Sequence, residues 1–439
     1  MNKLRLLHIT SGAASMYCGT CMRDNALAAN LKAMGHDMML VPFYTPTLTD
    51  EENVSQEKIF FGGISVYLEQ HVPLFRKTPW LVDKLWDSRF ALKLAAKSSI
   101  SVDAADLGEM TISMLRGEEG YHRKEIHKLV HWLKDQPPFD VINLPYTLLI
   151  GLAQPLKAAL NRPIICTLQG EDFFLEGLTE PYRATALELI RSKINFIDGF
   201  MSVSHYYADF MSDYLAIDRS KIFVVPIGIN LDGHSAEEKT NNGVFTVGYF
   251  ARIAPEKGLH ILADAYRRMR ESGELTDSRL EAAGYLPPEH KIYLQGIEQQ
   301  MKAWGLEDEF HYRGSLDREQ KIKFLQSLSV LSVPAPYREP KGIFMLEAMA
   351  NGVPVVQPRH GAFTEIIEKT GGGLLFESDD AKSLAEGLLT IYRDSALAFE
   401  MGASGAAGVR AHYNARLMAE RTIEAYERVI AAQTTLTIR

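Results

Sequence analysis

The chain is 439 residues long, more than one ordinary hydrophobic core organises, so two domains are expected. It is 46% apolar and 23% charged with a formal net charge of −8, a balance that suits a globular enzyme and argues against a protein-wide nucleic-acid-binding surface. No apolar run approaches the roughly 18 residues that span a bilayer, and the three cysteines do not make a disulfide framework, so a cytoplasmic protein with at most peripheral membrane contact is expected.

In chain order, Leu4–Ile9 predicts a first strand. Its apolar stretch ends within a few positions and has no small-residue cleavage site, which distinguishes it from an export signal. A loop rich in small residues, Thr10–Cys21, leads to a helical pattern over Asp24–Met34, with Gly35 where a C-terminal cap belongs. Met38–Phe43 completes a βαβ unit. Residues 73–135 read as mostly helical. Within them, Trp80–Lys97 carries Val82, Trp86, Phe90 and Leu94 at four-residue spacing. That stripe suits packing on the domain better than lipid contact, because Asp83 and Asp87 dilute the charge of Lys84, Arg89, Lys93 and Lys97. Further strands are expected at Val141–Leu144, Pro163–Leu168, Gly199–Val203 and Ile222–Val225. Strands alternating with helices predict a parallel sheet covered on both faces.

The polar stretch Asp232–Gly243 reads as an interdomain linker. The rhythm then restarts with a strand over Val244–Phe250 and a helix over Leu259–Met269. Strands follow at Arg279–Ala283, Phe310–Tyr312, Val330–Val333, Val353–Val356 and Gly373–Phe376, and a last helix covers Met418–Ala431. The expected organisation is α/β throughout: a Rossmann-like domain over residues 1–235, a second over 244–415, and a closing segment, 416–439.

Chemistry concentrates in the second half. Arg252 and Lys257 share a strand-to-helix loop, where two cations can hold a diphosphate. Glu339 lies on the loop after a later strand, and Glu347, eight positions on, lies near the start of a helix. In an open α/β sheet that edge is where ligands bind. The N–H groups that open the Ile343 helix favour an anion, and Gly342 allows close backbone approach. Taken alone, Glu347 suits two roles equally: accepting ribose hydroxyls, or sitting in a helix dipole for a few tenths of a kcal/mol. A dehydrogenase is disfavoured, since no Gly-x-Gly-x-x-Gly opens either half.

Arg252…Lys257-Gly258, Glu339-x7-Glu347 with Gly342 and Phe344 between, the sequel Leu346–Val356, and Gly361–Ile367 together resemble glycosyltransferase family 4. The resemblance is strong from about 244 to 376 and looser before. It implies a GT-B fold, two Rossmann-like domains facing across a cleft, with the last helix crossing back to the first. It also implies retaining transfer from a nucleoside-diphosphate sugar to a hydroxyl acceptor (a glycan, a lipid or a small molecule), with no cofactor and no obligatory metal. By resemblance, Arg252 and Lys257 bind the diphosphate, Glu347 holds the ribose, and Glu339 contacts sugar hydroxyls as a positioning group. The backbone of Gly342, Ile343 and Phe344 lines the pocket, and Gly284 and Arg313-Gly314-Ser315 lie where the nucleotide approaches. Arg252, Lys257 and Glu339 carry the catalytic assignment.

The first half matches with departures. Cys18-Gly19 stands where the family often has Gly-Gly, leaving Gly19 to approach the donor phosphates. Gln169, in Thr167-Leu168-Gln169-Gly170-Glu171-Asp172, replaces a family histidine near the reacting sugar. Gln169 and Asp172 are the acceptor-side candidates. Glu171 and His205 suit structural roles at least as well. Cys18-x2-Cys21 has redox spacing. Two reduced thiols shaping the loop rank first for it, a regulatory disulfide second and a metal third. The alternatives to a transferase are a nucleotide-sugar 2-epimerase on the same fold and a non-catalytic sugar-binding protein.

Overall fold

The computed structural model describes residues 3–12, 18–61, 104–236, 243–275 and 277–437. The expected stripe over Trp80–Lys97 lies outside them. By internal packing the chain forms two units, Met1–Pro226 with Met418–Arg439, and Ile227–Leu417.

The first unit holds six parallel strands among the described residues: β1 (Arg5–Thr10), β2 (Asp37–Pro42), β3 (Val141–Leu144), β4 (Ile164–Leu168), β5 (Gly199–Ser202) and β6 (Ile222–Val224). Their order is β2-β1-β3-β4-β5-β6. Nearly every position of β1, β3, β4 and β5 is buried, as a sheet covered on both faces requires. The first helix starts at Gly19, five residues earlier than the sequence pattern suggests. The Met22 N–H bonds the Cys18 carbonyl at 2.9 Å, so Cys18 is the N-cap and Gly19–Cys21, read as the end of the small-residue loop, are helical. The first turns carry charged residues on buried positions, Arg23 and Asp24, which hides the helix start from periodicity. It ends as expected at Gly35, where the His36 and Gly35 N–H groups bond the carbonyls of Leu31 and Lys32.

The second unit has strands β7 (Phe245–Phe250), β8 (Ser278–Ala283), β9 (Phe310–Tyr312), β10 (Val330–Leu331), β11 (Val355–Pro358) and β12 (Gly373–Phe376). All are parallel, in the order β12-β11-β10-β7-β8-β9. The chain runs outward from β7 through β8 to β9, then returns to the other side of β7 as β10. The strand order therefore reverses between β7 and β10, which is where a crevice opens at the carboxyl ends of such a sheet.

The helix Ile343–Ala350 follows β10 and is apolar all round, as a central helix must be. Gly352 and Val353 close it by donating to the carbonyls of Met349 and Ala348. The expected linker behaves differently from its composition. Residues 232–236 pack on this helix: Ser235 N donates to Asn351 Oδ1 at 3.3 Å, and the Asn351 amide meets His234 Nδ1 at 2.7 Å. Asn351 makes the polar stretch part of the unit, a role that polarity alone does not reveal. Among the described residues no helix is long and apolar enough to cross a membrane.

Candidate active site

The loops after β7 and β10 meet at the strand-order reversal of the second unit. After β7 the chain makes a short turn over Pro255–Lys257, then enters the helix Leu259–Glu271 through Gly258. The Arg252 carbonyl is fixed by the Tyr249 hydroxyl at 3.0 Å, and Ile253 N donates to the Tyr285 carbonyl at 2.9 Å. Gly258 is needed twice over. Its φ is +75°, and a Cβ there would fall 2.0 Å from the Pro334 carbonyl oxygen. The two loops touch because this residue has no side chain.

Lys257 reaches across to the other loop. Its ammonium donates to Glu339 Oε2 at 2.5 Å and stands 5.7 Å from the centre of the Tyr337 ring. The two side chains are only 18% and 7% exposed. Lys341 N donates to Glu339 Oε1 at 3.3 Å, and Ala362 N donates to the Glu339 carbonyl at 2.9 Å. The last bond brings the start of the helix Gly361–Thr370 against Glu339; a Cβ on Gly361 would sit 2.5 Å from that carbonyl oxygen. The helix starts at Gly342 and Gly361 thus lie close to Glu339, the first following its carboxylate contact at Lys341 and the second bonded to its backbone carbonyl. Burial pushes the Glu339 carboxyl up. The charge and hydrogen bond of Lys257, with Lys341 behind them, outweigh it and hold the group below its ordinary 4.5. Arg252, on the same loop, pairs with Glu256.

The other donor-side candidates occupy distinct positions. Ile343 is half-buried and Phe344 buried in the first turn of their helix, with the Phe344 ring 5.9 Å from that of Phe363. Glu347, one turn in, is buried and paired with Lys321 at 2.6 Å. Gly284 follows β8, and a Cβ there would meet the Ala251 carbonyl oxygen at 1.9 Å, so its close approach is to the β7 loop. Arg313, ahead of Gly314, forks onto Glu281 through two bonds of 2.5 and 2.7 Å. The sequence pattern passes over Lys321, the partner of Glu347. The signal was present: Lys321, Leu325 and Leu328 recur at four and three positions, placing a lysine on the apolar face of its helix.

In the first unit, the loops after β3 and β4 are fastened by Glu171. Its carboxylate accepts from Thr147 N (3.2 Å), Thr147 Oγ1 (3.1 Å), Gln169 N (2.9 Å) and the Tyr207 hydroxyl (3.3 Å). Burial raises its pKa, and the backbone donors partly offset this. Tyr207 also donates to Asp172 Oδ1 at 2.6 Å. Gln169 is buried and donates to the Pro145 carbonyl at 2.7 Å; its Oε1 finds no hydrogen-bond partner among the described residues. Glu171 therefore holds two loops together, and Glu171→Ala is expected to cost about 2–4 kcal/mol by stranding buried donors, measured by chemical denaturation. His205 is an exposed first residue of the helix His205–Leu215. Gly19 opens its helix behind Cys18, and Cys18 and Cys21 are not joined in a disulfide. The hydrogen bond from Cys18, together with burial, pushes the Cys21 thiol well up, so it is not an activated thiolate. No cluster of three or more side chains able to hold a metal occurs among the described residues.

Residues 232–407 match the family described as glycosyl transferases group 1, and residues 109–232 match Glycosyltransferase Family 4. The phosphatidyl-myo-inositol mannosyltransferase of Mycobacterium leprae (strain TN) is 26% identical over 69% of this chain and 77% of its own length. The D-inositol 3-phosphate glycosyltransferase of Arthrobacter sp. (strain FB24) is 27% identical over 46% of this chain and 47% of its own. Among solved structures, Anabaena Alr3699/HepE in complex with UDP superposes with a TM-score of 0.68 at 15% identity, covering 97% of this chain and 100% of that one. Sucrose-phosphate synthase from Thermosynechococcus elongatus gives 0.65 at 19% identity, covering 98% and 100%. The chain belongs to glycosyltransferase family 4 and is a glycosyltransferase of the GT-B fold.

Proposed function

We propose that the enzyme moves a sugar from a nucleoside-diphosphate sugar to a hydroxyl acceptor with retention of configuration, and that it does so without a metal. The observation that carries this reading is the joining of Lys257 and Glu339 where the loops after β7 and β10 meet at the strand-order reversal. Cleaving the bond between sugar and diphosphate puts negative charge on the leaving oxygen. Lys257, Arg252 and the N–H groups of the two helix starts supply the matching positive charge where it develops. Glu339 orients the sugar through its hydroxyls. The acceptor attacks the face that the diphosphate leaves, and a phosphate oxygen takes its proton.

Several relatives support this choice over an epimerase or a passive binding protein. Their names describe transferases, and Anabaena Alr3699/HepE has been crystallised with UDP and with UDP-glucose. Because one relative is named a phosphatidyl-myo-inositol mannosyltransferase and another a D-inositol 3-phosphate glycosyltransferase, a phosphorylated or lipid-linked polyol is an acceptor class to try.

A thermal-shift panel of nucleoside diphosphates and their sugars is the test. The matching donor, present at about 100 times its Kd, is expected to stabilise the fold by roughly 2.7 kcal/mol. NMR of the product anomer then reads retention. If no nucleotide or sugar nucleotide stabilises the protein, the proposal fails.

A further inference from the structure

Lys321 has no part in the chemistry described so far, yet its position is costly. The helix Arg318–Gln326 opens with a reciprocal cap: Asp317 accepts from Gln320 N, and the Gln320 side chain returns a bond to Asp317 N. One turn later the helix buries Lys321 and Leu325. The Lys321 side chain is 3% exposed and that of its partner, Glu347, 7%. An ammonium on an apolar helix face survives only with a counter-charge. Such a pair is seldom worth more to stability than two apolar side chains of the same volume. Stability therefore does not explain it.

Its surroundings do. Glu347 sits in the helix whose start follows Glu339 and to whose first residues the donor site was assigned above. Its carbonyl accepts from Asn351 Nδ2 at 2.9 Å, and that amide is held in turn by His234. Lys321 takes Oε1 at 2.6 Å, while Oε2 makes no hydrogen bond among the described residues. One carboxylate oxygen is clamped and the other is left as an acceptor with two lone pairs.

We infer that Lys321 is a positioning residue for nucleotide recognition: by clamping Oε1 of Glu347 it aims Oε2 to accept from the vicinal hydroxyls of the donor ribose. This rests on the donor assignment proposed above. The same pair sets a preference for ribose over 2′-deoxyribose, because only the former offers both hydroxyls.

The test measures Kd by calorimetry for UDP, GDP, their 2′-deoxy forms and inorganic pyrophosphate. Lys321→Met is expected to weaken the bound ribonucleoside diphosphate by about tenfold or more, the value of a hydrogen bond to a charged group. It should bring the ribo-to-deoxy ratio close to one and leave pyrophosphate affinity unchanged. In the Glu347→Gln background, Lys321→Met should add nothing further. An unchanged ribo-to-deoxy ratio, an equal loss of pyrophosphate affinity, or additive losses in the double variant would each overturn the inference. Should Lys321→Met not fold, Lys321→Arg carries the test, since it keeps the charge and moves it. A lowered ratio with intact pyrophosphate binding then supports the role, and an unchanged ratio ends it. Failure of the wild type to bind any nucleoside diphosphate is a separate result, and it removes the donor assignment itself.

Discussion

Lys257→Ala is expected to remove the thermal shift produced by nucleoside diphosphates and to lower kcat/KM by about 100-fold or more, the scale of losing one charge-stabilising group in a dry site. It should also destabilise the ligand-free protein. Lys257 and Glu339 are mostly buried and 2.5 Å apart, so deleting the cation leaves a carboxylate without its main counter-charge. Breaking such a pair costs about 3–5 kcal/mol. The double variant Lys257→Met/Glu339→Gln, which removes both charges, should recover most of that stability and none of the activity. Melting curves and steady-state kinetics on both proteins separate the two effects.

The pair also leaves a signature in acid. The Glu339 carboxyl lies below its ordinary 4.5 in the folded protein. A group lowered on folding contributes stability that is complete above its unfolded pKa and fades as pH falls through the folded value. The wild type should therefore lose this contribution below about pH 4.3, the usual carboxylate range. The Lys257→Met/Glu339→Gln protein should show a correspondingly flatter profile there.

Gly258→Val should be as damaging by another route. A branched side chain is strained at φ +75°, and its Cβ would have to displace the Pro334 carbonyl, 2.0 Å away. Strain and overpacking of this kind cost about 1–3 kcal/mol each. The loops after β7 and β10 would be driven apart, separating Lys257 from Glu339. A melting temperature lowered by several degrees, with donor binding lost at temperatures where the protein is still folded, is the expected outcome. A variant that binds UDP or GDP like the wild type would show that the close approach of these loops is dispensable.

The sheet cores were legible because strand and helix periods alternate cleanly. Val141–Leu144, Phe310–Tyr312 and Gly373–Phe376 lie where the residue pattern places them. The early start of the Gly19–Ala33 helix was hidden, since its first turns bury the charged Arg23 and Asp24 and so show no apolar-polar alternation at helical period. Residues 232–236 read as a linker by composition, but His234 and Asn351 form a specific buried contact over a long sequence separation. In the site, the loop positions of Lys257 and Glu339 followed from strand-to-helix spacing. Their pairing, and that of Glu347 with Lys321, depends on which strands become neighbours, and one-dimensional periodicity does not carry that information.

The ion pair that closes the loops of the second unit also bears on the order of events in turnover. On the roles proposed above, the ammonium that would hold phosphate is occupied before any ligand arrives, and so is the carboxylate that would meet the sugar. An incoming pyrophosphate can compete for the lysine because it brings more charge than the glutamate it displaces. A neutral monosaccharide brings none and finds its docking group engaged. The resting site is thus self-neutralised, and under that proposal the nucleotide end of the donor is the key that frees the sugar-orienting acid.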